Sequence, residues 1–168
     1  MRSFARPTEK PITSSKEVYS RIRRRMGRLE VEHFVVLHLD AKHRMEHLQV
    51  VSQGTRTECL VHPREVFCEA VRRRAVAVIA CHNHPSGEVE PSTQDFDLTT
   101  RLYRAGELLG IPLLDHLIVG ADSYLSMADI GFVGSTATTA AENTRCSSHP
   151  LHGFQPLRGP HRGTESGR

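Results

Sequence analysis

Two histidines one residue apart, His82 and His84, are followed by Ser92 and Asp95 within the stretch CHNHPSGEVEPSTQD at 81–95. Imidazole nitrogen and carboxylate oxygen are donors that zinc takes in tetrahedral geometry, with one position left open where it does chemistry. Alternate residues of an extended strand point to one side, so both imidazoles can reach a single ion. The loop 85–91 carries two prolines and a glycine and can fold back, which brings the start of a helix, and with it Asp95, against the strand end. Free backbone N–H groups in a first helical turn also favour an anion. Two His and one Asp then make three protein ligands, with water in the fourth position and its pKa lowered toward ~7. Each piece also has a plain structural role. Ser92-x-x-Asp95 is a capping-box variant, Pro85, Ser86 and Gly87 are ordinary turn residues, and a lone buried His is more often structural than catalytic. The H-x-H pair resists that reading, because two same-face imidazoles at a strand end are costly without a partner.

The elements that must hold these residues follow from periodicity. AVAVIAC (75–81) is a continuous, valine-rich apolar run, the pattern of a central strand covered on both faces. The histidines follow at its end, where open α/β sheets build their sites. A helix is predicted over 92–109, with Leu98, Leu102, Ala105 and Leu109 in register and Gly110 as its stop. Upstream, a helix starts near Ser14 or Ser15, which can cap it. Val18, Ile22, Met26 and Leu29 share one face of it, and arginines fill the other. HFVVLHLD (33–40) and HLQVVSQ (47–53) read as a hairpin around the polar turn AKHRM, and TECLV (57–61) as a candidate third strand. Pro63 suits the first position of the helix PREVFCEAVRRR, with Val66, Phe67, Ala70 and Val71 facing inward. IPLLDHLIVG (111–120) reads as a buried strand and DSYLSMADIG (122–131) as a closing short strand and turn. The order predicts an α/β sandwich with a mixed sheet. Residues 1–13 read as a disordered leader, 14–133 as the domain and 134–168 as a disordered tail rich in Ser, Thr, Gly, Pro and Arg.

Composition narrows the function classes. A chain of 168 residues, 38% hydrophobic and 24% charged, suits one soluble domain. The net charge is +3, of which the four Arg and two Glu beyond residue 133 supply +2. The body is close to neutral and has no global basic field of the kind that marks nucleic-acid binding. The run RIRRRMGR (21–28) is the local exception. Its five arginines read first as a solvated helix face and second as a phosphate-contacting patch. Cys59, Cys68, Cys81 and Cys146 contain no CxxC pair, so no zinc ribbon or thioredoxin-like motif is indicated. The polar N-terminus has no signal-peptide core, no apolar run reaches membrane-spanning length, and free thiols fit a reducing cytoplasm. Tail residues His149, His152 and His161 have nothing to fix their geometry.

The pattern H-x-H-x7-S-x2-D, present as His82, His84, Ser92 and Asp95, resembles the metal motif of the JAMM, or MPN/JAB, metalloprotease-like family. The longer reading HNHPSG…PS..D, with LLDHLIVG and HPREVF, looks specifically like its bacterial RadC-like branch, over roughly residues 14–133. The resemblance implies an α-β-α sandwich similar to the cytidine deaminases, and a zinc-dependent hydrolase that cleaves an amide, peptide or isopeptide bond. It implies His82, His84 and Asp95 as zinc ligands, Ser92 as support for the water and the oxyanion, and an upstream glutamate as general base. Glu32 in LEVEHFVVLHLD is that glutamate, with Glu30 at the helix end and Glu65 in the next helix as rivals. The partner implied is a protein or peptide substrate. The helix-hairpin-helix region usual in full-length RadC-like proteins is not part of this sequence, and the tail matches nothing in the family. The branch's "DNA repair" label finds no support in the residues. It leaves the alternative of a metal-binding accessory protein in repair, recombination or mobile-element biology, to which the arginine run is relevant. In a strand, Asp115 and His116 point to opposite faces, so at most one extends the site, and a satisfied buried pair is the first reading. Cys81 reads as core, and Asn83 and Ser86 as loop holders before substrate contacts. The tripeptide HNH is no nuclease motif without its ββα setting, and a deaminase reading fails without P-C-x-x-C.

Overall fold

The computed structural model describes residues 10–54 and 61–133. They form α1 (Ser15–Met26), β1 (His33–Leu39), β2 (Met45–Gln53), α2 (Pro63–Arg73), β3 (Ala77–Asn83), α3 (Thr93–Leu109), β4 (Leu113–Val119) and β5 (Tyr124–Ser126). The sheet order is β2-β1-β3-β4-β5. Only β3 and β4 pair in parallel, and the other neighbours are antiparallel. A parallel pair needs a long crossover, and α3 is that crossover. The architecture is the expected α-β-α sandwich on a mixed sheet, with the apolar run of β3 at its centre.

Strand alternation divides the core between two faces. Val35, Leu37 and Leu39 of β1 and Ala77, Ile79 and Cys81 of β3 pack with Val18, Ile22 and Met26 of α1. Phe34 and Val36, with Val78 and Ala80, pack with Val66, Phe67 and Ala70 of α2 and Leu98 and Leu102 of α3. β3 extends two residues beyond the predicted run and takes in His82 and Asn83. By the same alternation His82 shares the α2/α3 face and Asn83 the α1 face.

Two predicted core positions lie outside it. Val71 is 55% and Leu109 51% exposed. In α2, Val66, Phe67 and Ala70 fill the core contact, and Val71 faces solvent. In the last turns of α3 the inward position belongs to Gly106. A Cβ there would meet the Ile111 carbonyl at 2.6 Å, so the chain returning into β4 runs directly against the helix backbone. Helix α1 stops at Met26 with Gly27 as its cap. Glu30 therefore lies in the connection to β1 and not at the helix end. The candidate strand at 57–61 falls almost wholly outside the described residues, as do the tail and most of the leader. Among the described residues no helix is long and apolar enough to cross a membrane, and Cys68 and Cys81 are free thiols.

Candidate metal centre

His82 is the next-to-last residue of β3, His84 lies just past its end, and Asp95 in the first turn of α3. The loop between them is pinned in three places. Gly87 N–H donates to the His84 carbonyl at 2.9 Å, and His84 Nδ1 is hydrogen-bonded to the Glu88 carbonyl at 2.9 Å. Gly120 backs the loop so closely that an added Cβ would sit 2.8 Å from the Gly87 carbonyl. The result is convergence of three donors. His82 Nε2 is 3.0 Å from His84 Nε2 and 3.1 Å from Asp95 Oδ1, and His84 Nε2 is 3.5 Å from Asp95 Oδ2. Tetrahedral zinc with bonds of 2.0–2.2 Å sets its ligand atoms roughly 3.3–3.6 Å apart. One of the three separations, 3.5 Å, lies in that range and the other two, 3.0 and 3.1 Å, fall just short of it, and the donor set of two imidazoles and a carboxylate fits that ion. A carbonyl can only accept, so His84 Nδ1 carries a proton and Nε2 is the ring nitrogen turned inward.

The helix cap and the Asp95 carboxylate are one construction. Ser92 is the N-cap of α3, and its Oγ accepts from Asp95 N–H. Asp95 Oδ2 accepts from Ser92 N–H at 2.8 Å and from the Ser92 hydroxyl at 2.6 Å. The cap therefore holds Oδ2 and leaves Oδ1 facing His82. Burial alone would raise the Asp95 pKa, but hydrogen bonds from His82, His84 and Ser92 hold the carboxyl far below the usual range. The same carboxylate raises the His84 pKa above its ordinary value against the opposing effect of burial.

Asn83 points to the other face and does a different job. Its Oδ1 accepts from His33 N–H at 2.9 Å, and its Nδ2 donates to the carbonyls of Val31 at 3.1 Å and Leu29 at 3.4 Å. These bonds bracket Glu32, whose own carbonyl accepts from Gly54 N–H at 2.8 Å. Asn83 is a loop holder, and the loop it holds is the one that presents Glu32. Replacing Asn83 with alanine leaves buried backbone groups unpaired and is expected to cost about 2–4 kcal/mol of stability, read from the denaturant midpoint. A midpoint shift worth less than ~0.5 kcal/mol would mean that the segment is held by other contacts.

The cleft in front of the three donors has a volume of about 600 Å³. Glu32, Glu65 and Ser92 line it together with Phe34, Arg64 and Arg101. Glu30 is exposed and does not line it. Glu32 is near enough to His84 to favour its charged form. Phe34 pairs with His82 across β1 and β3 and stacks on it, with ring centroids 6.1 Å apart, forming an apolar wall beside the donors.

Asp115 and His116 are both buried and both hydrogen-bonded, on opposite faces. Asp115 accepts from His116 N–H, Ser126 Oγ and Ala128 N–H, which ties β4 to the closing turn. Burial raises its pKa in spite of those bonds. His116 reaches His82, with its Nε2 2.9 Å from His82 Nδ1. It does so because β4 carries an irregularity. Val78 pairs with Leu113 but Ile79 with Asp115, so Leu114 is an extra residue and the alternation shifts phase after it. Full burial and the neighbouring His82 push the His116 pKa well down, so the ring is neutral.

Comparison with known proteins places these residues in a wider set. The model of the RadC-like JAB domain matches residues 12–132. A UPF0758 protein of Symbiobacterium thermophilum is 43% identical over 134 residues, 79% of this chain and 57% of that protein. A UPF0758 protein of Methanosarcina mazei is 41% identical over 133 residues, 79% of this chain and 58% of that protein. One from Thermosynechococcus vestitus is 52% identical over 99 residues, 59% of this chain and 40% of that protein. The chain thus spans less than three-fifths of the length of these relatives, and their names state no activity.

Proposed function

The chain belongs to the RadC-like JAB domain family, and from that premise we propose that it is a zinc-dependent hydrolase that cleaves amide bonds of the peptide or isopeptide type. The convergence of His82 Nε2, His84 Nε2 and the Asp95 carboxylate at one end of an open cleft carries the reading. When bound, zinc supplies Lewis-acid polarisation of a carbonyl and an acidified water. His82, His84 and Asp95 hold it. Glu32, on the cleft wall, accepts the proton of the attacking water and returns it to the leaving amine. Ser92 stands beside Asp95 with one hydroxyl proton, now given to Oδ2. Turned into the cleft, that proton stabilises the tetrahedral oxyanion, while Ser92 N–H keeps the carboxylate in place.

The test is a peptide-library cleavage screen on zinc-loaded protein, with metal content measured on the same sample. Expected is about one zinc per chain and cleavage that disappears on chelation. A protein that holds zinc and cleaves nothing would overturn the peptidase reading and leave the accessory role. The exposed Arg23, Arg24, Arg25 and Arg28 of the α1 region would then be the surface to neutralise in a salt-dependent DNA-binding assay.

A further inference from the structure

Behind His82 runs a buried chain of hydrogen bonds that ends on a second ligand. His82 Nδ1 is 2.9 Å from His116 Nε2, and His116 Nδ1 is 2.6 Å from Thr99 Oγ1. The Thr99 hydroxyl lies 2.6 Å from the Asp95 carbonyl, one turn back in α3, and 3.1 Å from Met127 Sδ. His82, His116 and Thr99 are each no more than 1% exposed, so no water competes for these bonds. We propose that Thr99 and His116 are positioning residues that set the tautomer of His82 and so make its Nε2 a metal donor. The inference rests on the metal reading of the site and adds to it the means by which the chain prepares one ligand.

Proton counting decides the direction of the chain. A neutral imidazole has one N–H and one bare nitrogen, and a hydroxyl has one proton. Two arrangements satisfy both histidines. In the first, Thr99 gives its proton to the Asp95 carbonyl and accepts from His116 Nδ1–H. His116 Nε2 is then bare and accepts from His82 Nδ1–H, and His82 Nε2 keeps its lone pair for a metal. In the second, every proton is reversed and His82 Nε2–H points into the centre, where it excludes an ion. The carbonyl at 2.6 Å fixes the Thr99 end as in the first, because it can accept only and is a far better acceptor than the thioether of Met127, and this keeps His82 Nδ1 protonated even though the Asp95 carboxylate, 3.1 Å from Nε2, holds a second proton on that ring while no metal is bound. Asp95 thereby serves the centre twice, with its carboxylate as ligand and with its carbonyl as the terminus that orients His82. Phe34 closes the chain off, its ring set edge-on to His116 with centroids 5.4 Å apart.

Ring-nitrogen spectra and metal affinity test this separately. In long-range 15N–1H correlation spectra of the zinc-free wild-type protein, His116 is expected to be protonated at Nδ1 and bare at Nε2. Thr99→Val keeps the side-chain shape but removes the acceptor for His116 Nδ1–H, so the reversed arrangement takes over. Zinc affinity, measured by competition with a chromophoric chelator, is expected to fall about 10- to 100-fold, the usual effect of losing an outer-shell partner. Thr99→Ser is expected to restore it. His116→Leu should fall likewise. His116→Gln, whose carboxamide can accept from His82 and donate to Thr99, should recover most of the loss. A wild-type His116 protonated at Nε2, or a folded Thr99→Val that binds zinc as the wild type does, would overturn the proposal. Wild-type protein that binds no zinc would sink the metal reading instead, and its zinc-free spectra would still decide the direction of the chain.

Discussion

Zinc content falls from about one ion per chain to none in His82→Ala and in Asp95→Ala, and the two aspartate variants Asp95→Ala and Asp95→Asn separate the two jobs of that residue. Stripping one partner from a buried, charge-assisted cluster costs about 3–5 kcal/mol, a loss of roughly 10²- to 10⁴-fold in affinity. Asp95→Asn keeps an oxygen that can accept from Ser92 N–H, so α3 retains its cap while the anionic ligand is gone. Asp95→Ala loses the carboxylate and that reciprocal bond, although the Ser92 cap on the backbone N–H of residue 95 remains, and should unfold about 1 kcal/mol more easily than the asparagine variant, the usual worth of one hydrogen bond. Equal stabilities would mean that the capping bonds at 2.8 Å and 2.6 Å contribute nothing beyond holding the ligand. Zinc at the wild-type level in either variant, by metal analysis after dialysis, would remove Asp95 from the centre.

The parts of this centre that were legible in the sequence are those whose geometry is local. H-x-H reads as two same-side imidazoles because a strand has a period of two. S-x-x-D reads as a cap because the N-cap and the third helical residue always meet. Both hold in the fold as geometry, with the two imidazoles on one side and the Asp95 carboxylate closing the capping box of Ser92. The sandwich was legible for a similar reason, since a continuous valine-rich run bounded by helical periods leaves few alternatives to a central strand.

What the sequence could not show depends on contacts far apart in the chain. Asn83 reads as a turn residue until its partners at 29–33 are seen beyond the sheet. His116 reads as one of a buried pair of uncertain face, because strict alternation gives no warning that Leu114 is an extra residue and shifts the phase. A histidine after an apolar pair and an aspartate is the one available sign, and it does not say which ring meets His82. Val71 and Leu109 fail for the opposite reason. Periodicity assigns each helix an apolar stripe but not its width, and both residues lie beside the strip that packs on the sheet.

Glu32→Gln leaves zinc content unchanged and lowers the rate of bond cleavage by about 10²- to 10⁴-fold, the range that a positioned general base contributes. The carboxamide keeps the shape and can still orient a water, but it cannot take a proton. The separation is sharp because Glu32 belongs to neither the ligand set nor the chain behind His82. It is carried on a different segment, held by Asn83 and by its own carbonyl bond to Gly54 N–H. Glu65 is the control, since it too lines the cleft. Glu65 lies in the first turn of α2, where a carboxylate favours the helix dipole, so Glu65→Gln should cost a few tenths of a kcal/mol in stability and little in rate. Separate values of kcat and KM tell the two roles apart. Loss of a general base lowers kcat and kcat/KM together, whereas loss of a substrate contact raises KM. A Glu32→Gln enzyme that keeps its rate would pass the base role to Glu65, the remaining carboxylate on the cleft wall that is not part of the metal trio.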